Sequence, residues 1–211
     1  MKVTIFGATG NTGPYLIEEA LKRGIEVTVF ARSGSPFTHP QVRVIRGNLT
    51  DKKSLTEAIR GADAVLSALG PTSLKHPKDL PITQALKEII SVMEQEGLKR
   101  LITISTGTAV DPGDGFDLKI WFPALLVKLA LPAAYNDFIE SVKVIRESNL
   151  DWTMVHAAIL KNRPASKNLN LGLYGHTKHS LTVSRENIAA FMFDQISSRD
   201  FVRQAPGISS R

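Results

Sequence analysis

The sequence predicts an α/β domain of the doubly wound kind, a mostly parallel sheet in the order 3-2-1-4-5-6 with helices on both faces and a small C-terminal extension. Two observations carry this. Short β-branched or apolar runs fall at 2–6, 26–30, 42–46, 64–69, 100–105 and 150–155, and segments of helical spacing separate most of them. The first run also passes through a glycine-rich turn straight into a helix, the opening unit of a parallel sheet. No repeat, low-complexity stretch or linker interrupts the chain, so a single domain over 1–211 is expected.

The first strand, 2–6 (KVTIF), ends at the turn GATGNTG, where Gly7, Gly10 and Gly13 stand three residues apart. Pro14 suits the first turn of a helix. Leu16, Ile17, Ala20 and Leu21 repeat at helical spacing, and Gly24 stands where that helix would stop. A tight turn out of a strand needs backbone angles that glycine reaches cheaply. A pyrophosphate needs bare backbone to lie against, and a helix start offers it unpaired N–H groups and a positive dipole end. Gly7, Thr9, Gly10, Asn11, Thr12 and Gly13 are therefore the candidate phosphate-binding turn.

The spacing G-x-x-G-x-x-G resembles the short-chain dehydrogenase/reductase superfamily. GATGNTG in particular resembles its atypical, NAD(P)H-binding branch, which includes flavin and biliverdin-B reductases, NmrA-like redox sensors and small reductases of unknown substrate. The resemblance extends over nearly the whole chain and implies a Rossmann domain, with substrate-side elements drawn from 109–135 and 157–211.

The second strand, 26–30, leads to Ala31-Arg32-Ser33. An acidic residue here would hold a ribose hydroxyl of NAD and repel a 2′-phosphate. Arg32 offers that phosphate a guanidinium instead, and Ser33 a hydroxyl, so NADP(H) is the expected cofactor. The third strand, 42–46, is followed by Gly47-Asn48-Leu49-Thr50-Asp51. The family places an acid at the Asn48 position, against the adenine amino group. The Asn48 amide oxygen can accept the same hydrogen bond, and Leu49 would cover the adenine face. Asp51 reads as the cap of a helix over 52–60. The fourth strand exits through Ala68, Leu69 and Gly70, small or apolar residues fit to border the adenosine and pyrophosphate. The stretch 71–81 reads as a loop, with His76 in it lacking any evident partner.

A helix over 83–96 precedes the fifth strand, 100–105, which ends in Ser105-Thr106-Gly107-Thr108. By family position Thr106, with Ser105 beside it, matches the hydroxyl that orients a substrate carbonyl. The stretch 119–131 (KIWFPALLVKLAL) is the most apolar in the chain and too short for a bilayer, which takes about 20 residues. It reads as a lid over the nicotinamide pocket, an oligomer contact, or a helix packed on the sheet. A helix over 133–149 leads into the sixth strand through a junction, Arg146 to Thr153, that resembles the family's. His156 stands where relatives close over the nicotinamide; a strand-end histidine bonded to backbone is the alternative. Ser184 and Glu186 mark the start of a last helix, and one more strand is expected after it.

Standard members reduce carbonyls with a Tyr-x-x-x-Lys pair. Aligned on the Arg146–Thr153 junction, those slots hold Ala134 and Phe138, and Tyr135 is one residue off, a rotation of ~100°. Tyr174 to Lys178 has the right letters in a loop and reads as chance. The histidines of biliverdin-B-type reductases are missing at Phe138 and Ala158. Thr106 and Tyr135 remain the candidate catalytic residues. The cofactor half of a site is thus legible and the proton-donor half is not.

The chain carries 26 Lys and Arg against 20 Asp and Glu, a net charge of +6, scattered rather than gathered. That suits a polyanionic cofactor better than nucleic acid. No cysteine is present, which excludes disulfides and thiolate metal sites, and His176 with His179 lacks a third ligand. With a core strand at the start and no spanning segment, the expectation is a cytoplasmic monomer or homodimer, touching neither membrane nor metal. The expected activity is hydride transfer from NADP(H) to a flavin-like, quinone or other conjugated small molecule. The alternatives are a non-catalytic NmrA-like NADP(H) sensor and, more weakly, a relative of sugar-nucleotide epimerases and dehydratases.

Overall fold

Val3, Ile5 and Phe6 in β1 (Lys2–Phe6) are all buried, as a strand covered on both faces requires. The computed structural model describes residues 1–71 and 75–210. After β1 come α1 (Gly13–Lys22), β2 (Glu26–Arg32), β3 (Arg43–Gly47), α2 (Lys52–Ile59), β4 (Ala64–Ser67), α3 (Pro81–Gln95) and β5 (Arg100–Ser105). The second half contains α4 (Leu118–Ala130), α5 (Pro132–Glu147), β6 (Asp151–His156), β7 (Ile159–Lys161), β8 (Leu169–Gly172), β9 (Thr182–Ser184), α6 (Arg185–Ser197) and β10 (Gly207–Ser210). The main sheet runs β3-β2-β1-β4-β5-β6-β10-β8, so the expected doubly wound order is present. The C-terminal extension lengthens it: β10 lies parallel to β6, and β8 antiparallel to β10. β7 and β9 form a separate parallel pair.

Two apolar layers sandwich the sheet. Phe6, Leu55, Leu86, Ile89, Leu101 and Trp152 pack on the face covered by α2, α3 and α5. Ile5, Leu16, Ile17, Leu66, Ile102 and Ile188 pack on the face covered by α1 and α6. The chain changes direction between β1 and β4, and ligands of open α/β sheets bind at the carboxyl ends of strands beside such a point.

Capping explains where several helices begin. Asp51 accepts from the Lys53 amide at 3.1 Å, and the Ser184 hydroxyl accepts from the Asn187 amide at 3.1 Å, both as the sequence suggests. α3 is different. Its preceding residue, Leu80, sits at φ 56° and supplies no cap. The cap comes from α5: the buried Asp137 carboxylate accepts from the amides of Ile82 (2.9 Å) and Thr83 (2.8 Å) and from the Thr83 hydroxyl (2.6 Å). His76 Nε2 donates to it at 2.7 Å. The expectation that His76 lacks a partner is therefore corrected, since its partner lies 61 residues away. Of the loop expected over 71–81, residues 72–74 fall outside the described residues.

The apolar stretch is helical, yet none of the α4 side chains is buried. α4 touches α5 alone among the helices with substantial contact, and the chain bends by 120° between the two. Trp121 is 51% exposed and Leu129 71%. Packing of this helix on the sheet is thus excluded. No single helix is long and apolar enough to cross a membrane among the described residues.

Candidate active site

Gly7 ends β1 at φ +79°, and a Cβ on it would stand 2.6 Å from the Ala68 carbonyl oxygen. That position admits no side chain. A Cβ on Gly13 would stand 1.9 Å from the Ala8 carbonyl oxygen, so α1 can approach β1 only through glycine. Gly10 differs. The only atom near its Cβ position is the Gly7 carbonyl oxygen, at 3.3 Å, and its φ is not left-handed. The fold needs bare backbone at Gly7 and Gly13 but scarcely at Gly10. The turn is closed by amide donation from Gly10 to Gly7 (3.0 Å) and from Gly13 to Gly10 (3.1 Å). Thr9, Gly10 and Asn11 are exposed. Thr12 makes no side-chain cap, and the first turn of α1 carries no acid. The positive dipole end of α1 therefore stays open to an anion, although the Gly13 amide is used within the turn and Pro14 has no N–H.

The rim of this turn comes from neighbouring strands. Arg32 is the last residue of β2, paired in register with Gly47, which sets it beside Asn48. Its guanidinium is exposed and makes no hydrogen bond or ion pair among the described residues. Ser33 and Asn48 are exposed, while Leu49 and Leu69 half-bury against the core beneath. Ala68 donates its amide to the Phe6 carbonyl at 2.9 Å, which holds the exit of β4 beside the turn, with Gly70 two residues on. All these residues gather at the carboxyl edge of β1, β2, β3 and β4.

Further along that edge, β5 and β6 end together at Ser105 and His156, which are register partners. Beyond them lies a cleft of about 420 Å³ lined by Gly107, Thr108, Val110, Ile120, Trp121, Leu125, Lys128, Tyr135 and Tyr174, with Asp114 and Asp117 at its border. Tyr135 thus faces the cleft, with the Lys128 ammonium 5.7 Å from its ring centroid. Thr106 is half-buried, and its hydroxyl lies 3.5 Å from the Thr108 amide. His156 is 0% exposed and covered by the Tyr174 ring, stacked at 5.9 Å. It therefore opens neither onto the cleft nor onto solvent, and neither ring nitrogen has a hydrogen-bond partner. The reading of His156 as a strand-end histidine bonded to backbone is corrected on this point. Burial pulls its pKa down to about 4, so it is neutral at pH 7.

A protein-family model described as NAD(P)H-binding matches residues 7–199. The chain belongs to this NAD(P)H-binding family. Its likeness to solved structures spans essentially the full length. A short-chain dehydrogenase/reductase from Veillonella parvula in complex with NADP superposes at TM-score 0.76, with 22% identity over 99% of this chain and 94% of that one. An anaerobilin reductase from Escherichia coli O157:H7 gives 0.77, with 19% identity over 100% and 97%. An uncharacterised Bacillus subtilis protein is 26% identical over 87% of this chain and 83% of its own length. A human sterol-4-alpha-carboxylate 3-dehydrogenase is 28% identical, but the match spans 56% of this chain and only 32% of that enzyme.

For an NAD(P)H-binding chain, the informative surprise is Tyr174, which reads as chance in sequence. Here it is 3% exposed, its hydroxyl donates to the His156 carbonyl at 3.3 Å, and its ring meets His179 edge-on at 4.8 Å. The loop bearing it clasps the loop after β5: Gly115 donates its amide to the Tyr174 carbonyl (2.8 Å), and Tyr174 donates its amide to Asp114 (3.1 Å). Burial, with the Asp114 and Asp117 charges, pushes the phenol pKa far up, so Tyr174 stays protonated. No local pattern signals this, because the contact depends on β8 and β10 pairing Gly172 with Gly207.

Proposed function

We propose that this protein is an NADP(H)-dependent reductase of planar, conjugated small molecules such as flavins and quinones. The observation that carries the reading is Gly10, a glycine that the fold's own packing hardly requires, in an exposed turn before an uncapped helix. Bare backbone there is what a pyrophosphate needs. In this reading the bare backbone of the glycine turn and the positive end of α1 hold the pyrophosphate, and Arg32 and Ser33 hold the 2′-phosphate. Asn48 and Leu49 take the adenine, Ala68 to Gly70 border the adenosine, and Ser105 and Thr106 stand at the nicotinamide end. Bound NADP(H) would supply the hydride. The cleft beyond Gly107 positions the acceptor. With Ala134 and Phe138 in the family's Tyr and Lys slots, the acceptor must be one for which water can deliver the proton, and that favours flavins and quinones over simple ketones.

Gly10→Val tests the reading. A branched side chain in the turn should abolish NADPH binding by calorimetry, a loss of at least about a hundredfold, while the folded spectrum persists. Normal binding by this variant would sink the assignment. The same empty slots favour one second reading, an NADP(H) sensor without chemistry. Tight NADPH binding with no NADPH oxidation by any flavin or quinone would select it.

A further inference from the structure

The cleft is apolar apart from a few groups, and most of those are already engaged. Asp117 accepts from the Lys119 amide at 2.9 Å and caps α4. Asp114 accepts from the amides of Asp111 (2.8 Å) and Tyr174 (3.1 Å), and burial raises its pKa. Tyr174 is committed to the His156 carbonyl. Besides the Tyr135 hydroxyl, two groups are left over. Lys128, in the last turn of α4, has no carboxylate within ion-pair distance among the described residues; its ammonium rests over the Tyr135 ring. The Thr108 hydroxyl is buried and lacks a hydrogen-bond partner among the described residues. The walls between them include the flat faces of Trp121 and Tyr135 and the branched chains of Ile120 and Leu125.

From this we infer that the acceptor is a planar conjugated molecule with an anionic substituent, a carboxylate or its equivalent, whose countercharge is Lys128. The inference rests on the reductase reading and adds to it the substrate class. The aromatic walls select a flat, apolar ring system. The lysine is a compact point charge on a flexible stem, and cation–π contact with Tyr135 holds it at the cleft without using up its charge. The Thr108 hydroxyl, free to donate or accept, suits a polar ring substituent such as a carbonyl. Lys128 is exposed, so its effect belongs to the modest, salt-screened range for surface pairs.

The test uses a naphthoquinone carboxylate and its neutral carboxamide, two probes that differ in charge alone. Binding is followed by quenching of Trp121 fluorescence in protein saturated with NADP+, because Trp152, the other tryptophan, is buried in the core. The wild type should bind the carboxylate about three- to tenfold more tightly than the carboxamide, less so at high salt. Lys128→Met should erase that preference, and Lys128→Glu should invert it. Equal binding of the two probes, binding of neither, or a preference that survives Lys128→Met would overturn the inference. NADPH oxidation is read separately. A charge preference without turnover keeps the anionic ligand and removes the reductase. Turnover without a charge preference keeps the reductase and removes the anionic acceptor.

Discussion

α1 and α4 are both rich in aliphatic side chains, yet α1 buries Leu16, Ile17 and Ala20 against the sheet while α4 buries nothing. α4 is the more apolar of the two by sequence. The difference lies in what each has beside it. α1 follows β1 through a turn so tight that Gly13 must pack on the Ala8 backbone, and that closeness lays one face of the helix on the strands. α4 is reached through a long loop, carries Pro123 in its interior, and touches only α5 substantially. Apolarity states what a helix would gain from cover. It does not say whether cover is near. The same contrast divides the molecule by role: the cofactor edge is proposed at strand ends fixed by the core, and the acceptor cleft is built from loops, from α4, whose one substantial helix contact is α5, and from Tyr135 of α5.

If that division is right, the largest losses should come from groups that pin the packed part. Asp137→Ala removes the α3 cap and leaves His76 and two amides without their acceptor, while the Thr83 hydroxyl keeps the backbone carbonyl of residue 137 at 3.0 Å. A loss of about 2–4 kcal/mol is expected from urea unfolding near neutral pH. The loss should depend on pH. Burial alone would raise the Asp137 pKa, but the hydrogen bonds from Thr83, Ile82 and His76 outweigh it and hold the carboxyl below its usual range. A depressed folded pKa means that the stabilisation is complete above the unfolded value of about 4 and fades as pH falls through the folded one. The gap between wild type and variant should therefore narrow on acidification below the unfolded carboxylate value, as pH falls through the depressed folded one. A gap that stays constant from neutral to acid would contradict the assignment of the cap to an ionised carboxylate.

On the cofactor edge the expected effect is somewhat smaller. Arg32→Ala should remove most of the extra thermal protection that NADPH gives over NADH, about 1.5–3 kcal/mol for one charge-assisted contact. Equal protection by both cofactors in the wild type would remove the case for NADP(H).

How far these two regions were legible beforehand differs for the same physical reason. The strand order and the glycine turn could be read because each depends on residues adjacent in sequence: β-branched runs, three spaced glycines, Pro14. The first of the glycines needs positive φ, a local property. The Asp137–His76 contact and the Tyr174 shelf over His156 join residues far apart, through α5 and through the β8–β10 pairing, and no spacing encodes them. His156 was visible as a strand-end residue, but its enclosure was not, because the ring that covers it arrives from a later loop. The cleft was half legible: the apolar stretch 119–131 could be read as a lid over a pocket, whereas Lys128 and Thr108 had no reason to stand out until the structure put them together.

Within the cleft, Tyr135→Phe should lower kcat with a quinone acceptor by less than about tenfold, below the range typical of a lost general acid. The variant keeps the ring over which Lys128 rests, so it removes the hydroxyl alone. A thousandfold loss would make Tyr135 the proton donor and return simple ketones to the substrate class.

The smallest effect should come from α4, and its smallness is the point. Leu129 is 71% exposed, so Leu129→Ser should change stability by less than about 0.5 kcal/mol, the usual range for surface positions. Leu16 is fully buried in α1, and Leu16→Ala should cost about 2–5 kcal/mol through lost transfer energy and an unfilled cavity. Both variants remove a leucine side chain, so the gap between the costs chiefly measures cover, with a few tenths of a kcal/mol from the lower helix propensity of serine. Both variants can be compared by urea unfolding at two protein concentrations. A Leu129→Ser cost above about 1 kcal/mol that grows with protein concentration would mean that a second copy covers α4 in solution. The contrast between the two helices would then belong to the isolated chain and not to the working protein.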